Sequence, residues 1–300
     1  MCNLSEKQCC SSVINVYFSK KEDKKANMFF DHLPQKGLIY GHRGARSITP
    51  ENTLLAMRKA REWGAHCWET DIRMSSDGEL VIFHDETLER TTNVSTHPDF
   101  MERADYHLDR FTLDELRMLD CGSWFLADDP YGTVTSGEVG AGKYGEIREQ
   151  KIPLLSEILN YSKTHTFPVN LEIKDLKHPS GDVVVVDRIL DMIRATDTMD
   201  LVLLSSFRHD YLHRARALDK DIAIAVLVKG EHPPNLISYL KSFSAVAYHP
   251  GKEIFDPDLI TQLSAAGIRV NSWTVNDLGR AREMLGRGAG VITDWPQRLA

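Results

Sequence analysis

Cysteine is scarce and poorly placed for a structural role. Cys2, Cys9 and Cys10 crowd the first ten residues, while Cys67 and Cys121 stand alone further on. An odd count with no C-x-x-C pair argues against a disulfide scaffold or a thiolate zinc site, and for free thiols in a reducing cytoplasm. Long apolar runs are missing as well: stretches such as Ile222–Val228 fall far short of the roughly 20 residues that span a bilayer. Positive charge is not in excess. Against 43 Asp and Glu there are 36 Lys and Arg, a net charge of −7, which disfavours nucleic acid or an anionic membrane as the main partner. No G-x-G-x-x-G opens the first strand–helix unit, which weighs against a dinucleotide-binding open sheet. An anionic ligand must therefore be held by local positive charge, against the field of the whole chain.

Near the N-terminus, Val13–Phe18 is too short for a secretory apolar region, and charges return from Lys20 to Lys25. Residues 1–36 read as an extension outside the main fold. From Gly37 onward short apolar runs alternate with amphipathic stretches. Leu38–Gly41, Ala65–Arg73, Glu79–Phe83, Val169–Ile173, Leu201–Leu204, Ile222–Val228, Ala245–Tyr248, Ile268–Trp273 and Gly290–Thr293 read as strands. Glu51–Trp63 carries apolar residues at helical spacing, with Pro50 suited to its start and Thr49 to its cap. Strand then helix, about eight times over roughly 250 residues, predicts an α/β fold of the TIM (β/α)8 barrel type over residues 37–300. The rhythm breaks between His84 and Pro153. That stretch predicts an inserted subdomain after the strand ending at His84, at about residues 93–150, placed over the active-site face.

Chemically useful residues cluster at the predicted strand ends. His42-Arg43-Gly44 follows the first strand. Glu69 and Asp71 are i and i+2 in the second and so share one face. Two adjacent carboxylates repel unless a proton or cation sits between them, and a hard divalent ion such as Mg²⁺ or Ca²⁺ resolves this. His84-Asp85 ends the third strand, Glu172-x-Lys174 the fourth, and Trp273 the eighth. In a barrel the carboxyl ends of all strands meet at one face, where active sites lie.

In this order, these residues resemble the glycerophosphodiester phosphodiesterase family. GHRGARSITPEN, the E-x-D at Glu69, the H-D at His84, NLEIK, NSWTVN and GVITDWP carry the resemblance over roughly residues 37–298. It implies a metal-dependent TIM-barrel hydrolase of lipid and glycerol metabolism. Such an enzyme releases sn-glycerol 3-phosphate and an alcohol from a small-molecule glycerophosphodiester. Carried over, His42 and His84 are the acid/base pair, and Glu69, Asp71 and Glu172 hold one divalent cation, with Mn²⁺ also admitted. Arg43 and Lys174 contact phosphate, and Trp273 walls the glycerol moiety. Two departures stand out: the family often has an acid where this chain has His66, and another in its final strand, where this chain reads Gly288-Ala289-Gly290-Val291. Ser205, Ser206, Lys229 and His249 are weaker pocket candidates, and Tyr131 and Trp124 either cover the substrate or pack the insertion. A barrel phospholipase and a silent binding protein are the rival readings. The first is expected to show an apolar rim and the second to have lost a histidine or a metal carboxylate, and neither mark is seen.

Overall fold

The structure, a computed structural model, describes residues 28–177 and 179–300. Most of the expected N-terminal extension therefore lies outside the described residues.

Nine strands form one sheet: β1 (Ile39–His42), β2 (Cys67–Met74), β3 (Leu80–Ile82), β4 (Val169–Ile173), β5 (Val202–Ser206), β6 (Ala223–Val228), β7 (Ala247–Pro250), β8 (Arg269–Ser272) and β9 (Gly290–Thr293). Eight run parallel in the order β1-β9-β8-β7-β6-β5-β4-β2, and β1 pairs with β2 to close the cylinder. This is the expected TIM barrel. The strands are buried on both faces, which is why they read as near-continuous apolar runs. Trp68, Ile72, Leu171, Leu204 and Ile224 pack outward against the helices, whereas Tyr40, Cys67, Leu203, Ala225 and Ile292 fill the interior. Cys67 and Cys121 are free and buried.

The third expected strand is not a barrel strand. β3 pairs antiparallel with β2, Ile72 opposite Ile82 and Met74 opposite Leu80. β2 runs eight residues and rises above the rim, and a turn at Ser75–Gly78 sends the chain back down. His84 thus reaches the site by a descending hairpin arm, not at the upper end of a parallel strand as its position in the sequence implied.

Between Ile82 and Leu155 no strand joins the barrel. This excursion is stapled at its base, where Val81 bridges Leu154 and the Ile82 N–H donates to the Pro153 carbonyl at 2.9 Å. One half packs around Phe100, Phe111 and Leu116 against the hairpin; the other brings Phe125, Val139 and Ile147 onto Leu55. At the opposite end of the barrel, Phe29, Phe30 and Leu33 join Tyr40, Leu203 and Ala247 in one buried cluster. Residues just before 37 thereby form part of the barrel floor.

The first barrel helix, α1 (Leu54–Glu62), starts later than Pro50 suggests. Its cap is Thr53, not Thr49: the Thr53 Oγ1 accepts from the Ala56 N–H at 3.1 Å. Asn52, in the left-handed region at φ 56°, keeps the preceding residues out of the helix and free to face the site. T53A is expected to destabilise the fold by ~1 kcal/mol, the usual worth of such a cap, read as a shift in urea midpoint at unchanged m-value.

Candidate active site

The first constellation follows from the turn after β1. Arg43 and Gly44 both adopt positive φ, 53° and 91°. A Cβ on Gly44 would lie 2.5 Å from the Ala56 backbone, so only glycine fits this approach. The turn directs the Arg43 N–H back to the Glu69 Oε2 at 3.2 Å and its side chain inward, Nη1 donating to the Glu51 Oε1 at 2.8 Å. Arg43 Nε lies 3.3 Å from the Asp71 Oδ2 yet makes no hydrogen bond. It is a buried donor held to Asp71 by charge alone.

Register places the acids. Asp71 lies opposite Glu172 on the neighbouring parallel strand, and His42 lies opposite Glu69. Glu69, Asp71 and Glu172 each present an oxygen within 4.8 Å of the others, and all three residues are buried. Burial, and then the Asp71 and Glu172 carboxylates, push the Glu69 carboxyl well above the usual range. Burial raises Asp71 too, but Lys174, His84 and Arg43 outweigh it and hold Asp71 well below that range. Lys174 Nζ donates to the Glu172 Oε1 at 2.6 Å and sits 3.5 Å from the Asp71 Oδ1. Three acids thus face two cations, one of them shared with Glu51. The surplus negative charge and the all-oxygen donor set fit a hard divalent cation.

Each histidine is oriented by a carboxylate. His42 Nδ1–H donates to the Asp294 Oδ1 at 2.6 Å, leaving Nε2 facing the acids, 4.0 Å from the Glu69 Oε2. Burial and the Arg43 charge hold the His42 pKa down to about 4. Asp294 is braced in turn by the Asn276 Nδ2, which donates to its Oδ2 at 2.7 Å. His84 Nδ1–H donates to the Asp85 Oδ1 at 2.6 Å, and Arg90 Nε donates to the other Asp85 oxygen, also at 2.6 Å.

Trp273 completes one wall with His42, Glu69, Asn170, Glu172, Leu227 and Ile292 around a small recess. Its indole N–H donates to the His249 carbonyl at 2.9 Å, and Phe207 meets it edge-on at 5.3 Å. All eight residues expected from the sequence therefore stand around one centre.

Sequence reasoning missed Glu51, Asn52 and Asp294. Glu51 binds Arg43, Arg46 and Arg90 at once. Asn52 donates to the Asp71 Oδ2 at 2.9 Å and accepts from the Thr70 hydroxyl at 2.8 Å. Asp294 directly follows β9, within the GVITDWP segment, while Gly288–Val291 still carries no acid. His66 is remote from this centre, its Nδ1 accepting from the Ile39 N–H at the start of β1. Of the weaker candidates, His249 is fully buried against Asn271, and the Ser206 hydroxyl is spent on the Ile173 carbonyl. Tyr131 packs on Trp295 and Arg46, and Trp124 lies against Arg90.

Residues 42–298 match the glycerophosphoryl diester phosphodiesterase family. The chain belongs to that family. It is accordingly an enzyme, a phosphoric diester hydrolase by its family. The chain is 30% identical to a glycerophosphodiester phosphodiesterase of Caldanaerobacter subterraneus subsp. tengcongensis over 270 residues, 88% of this chain and 96% of the relative. It is 40% identical to the glycerophosphoinositol inositolphosphodiesterase GDPD2 of Mus musculus, over 53% of this chain and 28% of that protein. Among solved structures it resembles an Oleispira antarctica phosphodiesterase in complex with the product sn-glycerol-3-phosphate. The TM-score is 0.73 and the identity 27%, covering 90% of this chain and 97% of that one. Among the described residues of this family member, no helix is long and apolar enough to cross a membrane.

Proposed function

We propose that the protein hydrolyses small-molecule glycerophosphodiesters to sn-glycerol 3-phosphate and an alcohol, with a divalent cation and a two-histidine acid/base pair, in a reducing cytoplasm. The observation that carries this reading is the paired arrangement of imidazoles: His42 and His84 are each tied through Nδ1 to a carboxylate, beside three buried acids.

A phosphodiester is inert in water because its charge repels nucleophiles and its leaving alkoxide needs a proton. Arg43 and Lys174 supply fixed positive charge to the phosphoryl oxygens. Glu69, Asp71 and Glu172 would hold Mg²⁺, Ca²⁺ or Mn²⁺, which supplies Lewis-acid stabilisation of phosphoryl charge when bound. One imidazole takes the proton from the attacking hydroxyl as its oxygen bonds to phosphorus. The other gives its proton to the alkoxide as the second P–O bond breaks. Attack by water gives the products directly; attack by the neighbouring glycerol hydroxyl gives a cyclic phosphate that water then opens, with the same balance. Asp294 and Asp85 fix which ring nitrogen faces the substrate and stabilise the imidazolium as it forms. Trp273 offers an apolar wall to the glycerol carbons.

A product assay tests this. Metal-stripped protein is given glycerophosphocholine, glycerophosphoethanolamine and lysophosphatidylcholine, with Mg²⁺, Mn²⁺ or Ca²⁺ restored in turn. Release of glycerol 3-phosphate only after a cation is restored is the expected result. Equal turnover in the stripped protein, or release of lysophosphatidate in place of glycerol 3-phosphate, overturns the reading.

A further inference from the structure

The largest unused chemistry beside the centre is Arg73. It shares a face of β2 with Glu69 and Asp71, one step nearer the rim. It is 7% exposed, and its Nε donates to the His84 carbonyl at 2.9 Å. Among the described residues no carboxylate lies within 4.0 Å of its guanidinium. Asp71, Glu86, Asp85 and Glu172 attract it from beyond contact, and a buried guanidinium with no acid in contact is a receptor for a carboxylate or phosphate.

Arg73 opens onto a cavity of about 450 Å³, shared with Glu86, His107, Arg110, Leu176 and Lys177. That volume suits a small organic group. The place of the cavity follows from connectivity. Arg73 is two residues past Asp71, Glu86 two past His84, and Leu176 two past Lys174. Three of the segments that supply the reacting centre thus run on into the cavity walls. The Trp273 recess, which Glu69, Asn170 and Glu172 also line, shares no lining residue with this cavity.

We propose that this cavity is the subsite for the leaving alcohol, and that Arg73 selects alcohols bearing a second anionic group, a carboxylate or a phosphate. The inference rests on the hydrolytic reading above and names its substrate class. Of the cavity's cations, Lys177 pairs with Glu86 and Arg110 with Asp105, and both are exposed, whereas Arg73 is buried with no acid in contact; Asp109 also lines the wall. Its bond to the His84 carbonyl makes it a positioning residue as well, so the test must separate the two effects.

The test compares kcat/KM for glycerophosphoserine, glycerophosphoinositol 4-phosphate and glycerophosphocholine in the wild type, R73Q, R73K and E86Q. In R73Q, the ratio of kcat/KM for an anionic substrate over glycerophosphocholine is expected to fall about 10-fold or more, through KM, as for loss of a charge-assisted pair. R73K should recover part of the ratio, and E86Q should raise it by removing a competing acid. The anionic substrate that loses more in R73Q identifies the carboxylate or the phosphate as the preferred group. If R73Q slows all three substrates by one factor and E86Q leaves the ratio unchanged, Arg73 acts only through His84 and the subsite is refuted. Failure of the wild type to cleave any of the three sinks the hydrolytic reading. The subsite is then judged by calorimetry with glycerophosphoserine: weaker binding to R73Q than to wild type upholds it, and equal binding overturns it.

Discussion

H42A and H84A proteins are expected to turn over glycerophosphocholine about 10²-fold more slowly than wild type, or worse, with the loss in kcat. In the proposed mechanism each imidazole contributes a proton-transfer step that no neighbour can replace. The groups nearest His42 Nε2 are acids committed to the cation site, and Asp85 and Asp294 reach only the Nδ1 side. Stability should change little, since neither ring belongs to an apolar cluster. D294N separates orientation from presence: it keeps the shape but replaces an acceptor oxygen and removes the charge that favours the imidazolium, so kcat should fall while KM holds. Single-turnover rates of the purified variants decide the matter. Near-normal chemistry in H42A or H84A removes that histidine from the mechanism.

E51A is expected to lose about 3–5 kcal/mol of stability, the range found when one partner of a buried ion pair is removed. The Glu51 carboxylate is 3% exposed and receives Arg43 Nη1 at 2.8 Å, Arg90 Nη2 at 2.7 Å and Arg46 Nη2 at 2.5 Å. Burial raises its pKa, yet Arg43, Arg46 and Arg90 together hold it well below the carboxylate range, so it is charged at neutral pH. Without it three guanidinium groups face one another. Activity should fall with stability, because Arg43 touches Glu69 and Asp71, and Arg90 holds the Asp85 that orients His84. E51Q keeps the shape and should lie between the two. Denaturation midpoints read alongside kcat test this, and a wild-type midpoint for E51A would falsify the account.

The barrel was legible because each strand carries its own signal: short apolar runs bounded by turn residues, recurring at barrel spacing. The direction of β3 was not, since an apolar run of three to five residues reads the same either way. The turn Ser76-Asp77-Gly78 held the clue to a hairpin. In the site, Glu69 with Asp71 and Glu172 with Lys174 were legible from the two-residue period of a strand. Glu51 was hidden because the segment around it reads as helix. Its role depends on Asn52 breaking that helix, and on Arg90 arriving from the excursion far along the chain. Asp294 was accessible by the positional argument that singled out His42: it too stands at the carboxyl end of a barrel strand.

The staple at Val81 and Leu154 brings the two ends of the excursion side by side on the hairpin. Past His84, Asp85 and Arg90, which belong to the site, a segment fastened in this way can be exchanged for a longer or shorter one without moving the cylinder beneath it. The reacting groups on β1, β2 and β4 stay put while whatever lies above them is rewritten. Chimaeras spliced after Arg90 and before Leu154 keep His84 and its Asp85–Arg90 support, and are thus a direct route to new alcohol preferences on an unaltered catalytic base.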